Sequence, residues 1–252
     1  MIVTALWPDA GRQEAGVRVR AHRPWPLPSV PWVMRQTWER LLFAHWRVET
    51  TALRALVPAQ LGLDTFDGDA WLGITPFELR GLRARLTPPL PRLSRFPELN
   101  VRTYATFAGR PGIWFFSLDA AKALAVAGAR AVYSLPYFRA SMSIDRDGDW
   151  TSYRSERPGA AFSGRYRPVG AAEPPRPGTL EHWLTERYCL YAVNGGRVLR
   201  ADIHHPPWPL QGAEAEIERN TMAAPLGIEL PGEPLVHYAA RQDVVVWPPA
   251  QA

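Results

Sequence analysis

The 252 residues, 46% hydrophobic and 21% charged, can bury roughly 70–75% of the unfolded surface in a single core, as an enzyme-sized domain does. A lone cysteine, Cys189, excludes an internal disulfide, no apolar run approaches the roughly eighteen residues of a membrane helix, and the N-terminus lacks an export signal, so a cytoplasmic, membrane-free protein is expected. The net charge of +5 rests on 28 arginines and one lysine, Lys122; the arginines run from Arg12 to Arg241 in short, separated groups such as Arg18/Arg20/Arg23 and Arg80/Arg83/Arg85, which argues against a nucleic-acid surface.

Residues 1–31 carry Pro8, Pro24, Pro26, Pro28 and Pro31 and read as an extended arm, with 32–252 as one domain. From Gln36 the three-to-four spacing of Trp38, Leu41, Leu42 and His45 predicts a helix, and a second short helix over 51–57 stops at Pro58. Hairpin signals follow. Asp67-Gly68 precedes a strand over 70–77, Asp147-Gly148 separates strands over 140–144 and 150–155, and Asn194-Gly195 joins 188–193 to 198–204. Strands are also expected over 100–107 and 113–118, around a turn at 109–112. A helix over 120–132 starts from a cap at Asp119, another over 180–187 follows Thr179, and 170–178, with Pro174, Pro175 and Pro177, reads as an exposed loop. The elements make an α+β chain dominated by antiparallel strands.

The motifs of dinucleotide, phosphate-loop, nucleophile-elbow and zinc-helix chemistry are absent, so no cofactor is expected. His204 and His205 are adjacent on a strand and point to opposite faces, which favours packed histidines over a metal pair; His45 and His237 are isolated, and no metal site is assigned. In the run from Phe96 to Tyr104, Glu98, Asn100, Arg102 and Tyr104 share one strand face, and Leu99, Val101 and Thr103 share the other. If the apolar face packs on a helix, the polar row meets solvent; if the sheet closes into a barrel, the row becomes a carboxylate-binding lining. Alternation alone leaves both readings open. Tyr137 and Arg139 repeat the pattern after Pro136, as do Arg187, Cys189 and Tyr191, and Arg200, Asp202 and His204, where exposed ion-pair ladders are the simpler reading.

From Arg35 onward, strings such as LLFAHW, LDTFDGDAWLGITPFELR, FPELNVRTY, GIWFFSLDA and SLPYFRA resemble those of an uncharacterised bacterial family often called YqjF-like, grouped by fold with acetoacetate decarboxylase. The resemblance implies a conical, closed or near-closed β-barrel with a few flanking helices, enclosing a small polar cavity. It places Glu98 where the decarboxylases keep an active-site glutamate and likens Ala127-Gly128-Ala129-Arg130 to their Gly-Arg segment. It also places Tyr137, within Ser134-Leu-Pro-Tyr-Phe-Arg-Ala140, where their Schiff-base lysine stands. A phenol cannot condense with a ketone, so decarboxylation through an iminium is not expected. Lys122, near the start of the expected helix, is placed as a solvent-facing residue rather than a substitute.

These residues suggest an internal pocket for a small organic anion, with Asn100, Arg102, Tyr104 and Arg139 binding it and Glu98 and Tyr137 as a cofactor-free base and acid acting on a small oxo- or hydroxy-acid. The alternatives are a non-catalytic carrier or sensor and a structural or partner-binding module, the last suggested by Trp7, Trp25 and Trp32 in the arm. Glu98 discriminates between the first two: a base needs a pKa raised by burial, whereas a structural partner of Arg102 would have it lowered. Whether copies of the chain associate is left open.

Overall fold

The computed structural model describes residues 15–90, 94–122 and 133–252. Its strands are β1 (Met34–Val48), β2 (Gly62–Leu63), β3 (Ala70–Ala84), β4 (Phe96–Phe107), β5 (Arg110–Ala120), β6 (Tyr137–Arg139) and β7 (Ser141–Asp147). They continue as β8 (Trp150–Arg157), β9 (Ala160–Glu173), β10 (Cys189–Asn194), β11 (Arg197–His204), β12 (Leu210–Asn220), β13 (Leu235–Val246) and β14 (Ala250–Gln251). Two short helices, α1 (Thr50–Leu56) and α2 (Leu180–Thr185), lie where the sequence puts them; the Thr179 hydroxyl caps α2 by accepting from the His182 amide. The hairpins also follow the sequence, with small offsets. Asn194 pairs with Arg197 around Gly195-Gly196, both at positive φ (56° and 77°), one residue beyond the expected turn and suited to the twist of a two-residue hairpin.

The strands form one sheet that runs β14-β11-β10-β5-β4-β3-β1-β13-β12-β9-β8-β7, and β11 also pairs with β13. That extra pairing, Ile203 with Val246 and His204 with Val245, turns seven strands into a near-closed ring. Most pairings are antiparallel; β5 with β10 and β5 with β6 are parallel. The antiparallel, barrel-like class expected from the sequence is therefore the one observed.

Beyond β13 the remaining strands fold over the outside of the ring. Leu42, Ala44, Ile74, Leu99 and Val101, on the outer faces of β1, β3 and β4, pack against Tyr153, Phe162 and Tyr166 of β8 and β9. The Tyr153 hydroxyl donates to the backbone carbonyl of Glu98 at 2.8 Å and so ties this outer layer to the wall of the ring. The outward side of β4 is thus core, and its polar side must face the ring interior.

The helix predicted from Gln36 is corrected to β1. Arg40 adopts φ 51°, and the β1–β3 register shifts between Glu39 and Ala44, the mark of a bulge. An inserted residue reverses the alternation, so Trp38 and Leu41 both face inward although three apart, and Leu42 faces out. A bulged strand buried on both faces past its bulge thereby mimics helical spacing. The bulge is held by an ion pair between the Arg40 guanidinium and Glu78 and by a 2.8 Å hydrogen bond from the Tyr166 hydroxyl to the Arg40 carbonyl.

Asp119 and Ala120, expected to start a helix, instead end β5, and residues 121 and 122 are not helical; the remainder of the expected helix, 123–132 with Ala127-Gly128-Ala129-Arg130, lies outside the described residues. The predicted 170–178 loop is shorter, because β9 continues to Glu173. The described part of the arm packs on the body. His22 Nε2 lies 2.8 Å from the His205 carbonyl, Arg23 donates to the Ile203 carbonyl at 2.7 Å, and the Trp247 indole donates to Val30 O at 2.8 Å. His204 and His205 are both buried, the first against Gly16 O and the second stacked on Tyr188. No helix of the described residues is long and apolar enough to cross a membrane.

Candidate functional site

The ring encloses a cavity of about 350 Å³. Strand alternation delivers its polar wall: Glu98, Asn100 and Arg102 from β4, Thr75 from the neighbouring β3, where it pairs with Asn100, and Gln36 and Trp38 from β1. The facing wall is apolar, with Ile113, Phe115 and Leu118 from β5, Leu135 from the segment before β6, Ile203 from β11 and Val246 from β13.

Glu98 is 4% exposed, and burial pushes its carboxyl up to about 8; hydrogen bonds from Tyr137 and Asn100 oppose that shift without cancelling it. The Tyr137 hydroxyl donates to Glu98 Oε2 at 3.4 Å, a long and therefore weak hydrogen bond. Burial, and then the nearby Glu98 charge, hold the Tyr137 phenol well above its ordinary value, so it stays protonated and able to donate. Glu98 and Tyr137, brought together from β4 and β6, form one end of the site.

Arg102 forms the other. It is 5% exposed, and among the described residues no carboxylate pairs with it. Its guanidinium hydrogen-bonds the Tyr104 hydroxyl and stacks 5.3 Å from the Phe43 ring, while Nε has no partner. Burying a cation without an opposite charge beside it costs several kcal/mol. Three more buried polar atoms of the lining have no partner among the described residues: Thr75 Oγ1, Asn100 Oδ1 and Trp38 Nε1. Together they offer donors and an acceptor to a guest.

Tyr104 shares the face of Arg102 but is fully buried and is not among the residues that line the cavity. Its hydroxyl donates to Leu184 O at 2.8 Å and meets His45 Nε2 at 2.7 Å, and the Arg187 guanidinium, paired with Asp64, lies 4.6 Å from its ring. Burial and then the Arg102 charge keep His45 neutral, well below its usual range. Arg139 is exposed on β6 and takes no part in the lining; nor does Lys122, beyond the end of β5. Sequence reasoning missed Thr75 and Trp38. The alternation of Gly73, Thr75, Phe77 and Leu79 was a usable signal for the first. The bulge at Arg40 disguised the second.

A family model, DUF2071, described as an uncharacterized conserved protein, matches residues 35–243. The chain belongs to the DUF2071 family. Within that family it is 51% identical over 226 residues to the uncharacterized protein YqjF of Bacillus subtilis strain 168, covering 88% of this chain and 93% of YqjF. In fold, the DUF2071 chain is similar to an acetoacetate decarboxylase from Legionella pneumophila (TM-score 0.61, 12% identity, covering 94% of this chain and 95% of that one). It is likewise similar to the enduracididine biosynthesis enzyme MppR complexed with pyruvate (TM-score 0.62, 12% identity, 92% and 94% covered). A third match is an acetoacetate decarboxylase-like enzyme from Sphingomonas wittichii RW1 (TM-score 0.58, 14% identity, 92% and 98% covered).

Proposed function

We propose that the ring cavity binds a small oxo- or hydroxy-acid through Arg102 and that Glu98 and Tyr137 then move a proton on it without a cofactor. The unpaired, buried Arg102 carries this reading, because a bound carboxylate supplies the charge it lacks. Asn100 and Thr75 orient the guest with their unpartnered atoms. In the acid–base step, ionised Glu98 accepts a proton from the carbon beside the carbonyl, and the Tyr137 hydroxyl hydrogen-bonds the carbonyl oxygen as it gains charge. A carboxyl raised to about 8 is a stronger base, once ionised, than an ordinary carboxylate, and its direction of shift favours catalysis over a structural pair with Arg102. No lysine appears among the described lining residues, and the sequence resemblance likens Tyr137 to the decarboxylase lysine. This supports a reaction that forms no iminium. That MppR has been captured with pyruvate supports the oxo-acid class.

The test is a thermal-shift comparison of the parent and Arg102→Ala with pyruvate, 2-oxobutanoate and lactate, followed by NMR of deuterium exchange beside the carbonyl. Ligand at a hundredfold over its Kd stabilises the parent by about 2.7 kcal/mol, and the variant should show no shift. Exchange should quicken as pH rises through about 8 and vanish in Glu98→Gln. Binding without exchange would leave a carrier; no shift with any acid would remove the pocket reading.

A further inference from the structure

We infer that the ligand of this cavity is a hydrophobic-tailed acid of about ten to twelve non-hydrogen atoms, larger than the short oxo-acids that share its head group. The inference rests on the proposed function for the head and goes beyond it for the body. At roughly 30 Å³ each, 350 Å³ is room for about a dozen waters, and an acid as small as pyruvate would displace only about half of them.

The chemistry of the two walls sets what the remainder must be. Apart from the Tyr133 hydroxyl and the Tyr137 hydroxyl beside Glu98, the polar groups of the lining sit on β1, β3 and β4, whereas Phe115, Leu118, Leu135, Ile203 and Val246 offer nothing that can hydrogen-bond. These side chains come from four separate segments and converge on one space, so the apolar wall belongs to the ring's construction and not to one strand's composition. A short acid held by Arg102 would leave this wall facing loosely held water, and an alkyl or aryl tail would cover it. The polar row also limits where the head can go. Asn100 lies opposite Thr75, two positions along β4 from Arg102, so the carboxylate is held at the Arg102 end and the neighbouring oxygen is left to Tyr137 beside Glu98.

The experiment is calorimetric titration of the full chain with straight-chain 2-oxo-acids from pyruvate to 2-oxodecanoate, with phenylpyruvate as an aryl arm. Affinity should rise about fourfold per added methylene, peak near 2-oxooctanoate and fall for longer acids. Ile203→Phe, which takes volume from the apolar wall, should move the peak to an acid one or two carbons shorter; Leu118→Phe gives the same readout from β5 should the first variant not fold. Affinity that is flat or falls with length, from acids that still need Arg102, would overturn the inference and leave the proposed function intact. No binding by acids of any length would instead remove the proposed function.

Discussion

Replacing Glu98 by glutamine keeps the shape of the side chain and deletes a titration that the cavity displaces from 4.5 to about 8. Because the native state holds this proton and the unfolded chain releases it above about 4.5, the native state binds more protons across the whole interval, and stability must fall as pH rises. The slope is about 1.4 kcal/mol per pH unit, and the full interval amounts to roughly 5 kcal/mol lost by the parent and not by the variant. Glu98 is 4% exposed, so solvent screening takes little from that figure. Urea denaturation of both proteins at half-unit steps from pH 5 to 9 measures it. Asp119, His45 and the other shifted groups titrate in both proteins and cancel in the difference. Between pH 5.5 and 7.5 the difference should grow by about 3 kcal/mol in favour of Glu98→Gln and level off above 8. Curves that stay parallel across this range would mean that Glu98 ionises as it does in water, and the account of the site as a buried acid would be lost.

Three further outcomes follow from the same geometry. Tyr137→Phe removes a hydrogen bond that favours the Glu98 carboxylate, so the carboxyl should titrate still higher, as read by carbon NMR of labelled glutamate. Tyr137→Lys puts an amine beside Glu98, and borohydride should then trap a covalent adduct with pyruvate that mass spectrometry does not find in the parent. Asp119→Ala strands the half-buried Arg157, now 2.7 Å from the fully buried carboxylate, and should destabilise by roughly 3 kcal/mol in urea.

The polar row of β4 was legible because a period of two survives along the whole strand; which side of the sheet it faced was not, because that depends on β8 and β9 arriving over Leu99 and Val101 from residues some fifty positions later. Hairpins announced themselves through Gly-containing dipeptides, whose backbone requirement is local. The misreading of β1 has a comparable cause in reverse. Its bulge is stabilised by Glu78 and Tyr166, partners remote in sequence, so nothing near Arg40 could signal that the alternation would change sides. Trp38 was accordingly assigned to a helix face when it lines the cavity. Arg102 could be picked out as a candidate anion ligand, but its lack of a carboxylate partner is a property of the assembled ring.

Along β4 the two faces answer to different demands. Leu99 and Val101 hold the outer layer, and truncating either to alanine should cost about 2–5 kcal/mol. Asn100 and Arg102 bury unpartnered polar atoms, and apolar replacements there should keep or raise stability. A saturation library through 98–102, scored separately for cellular abundance and for ligand response, should therefore read as a comb, with Leu99 and Val101 depleting the first score and Glu98, Asn100 and Arg102 the second. Under drift without selection on the cavity, Asn100 and Arg102 should be replaced before Leu99 and Val101, and the lineage should gain thermal robustness as they go.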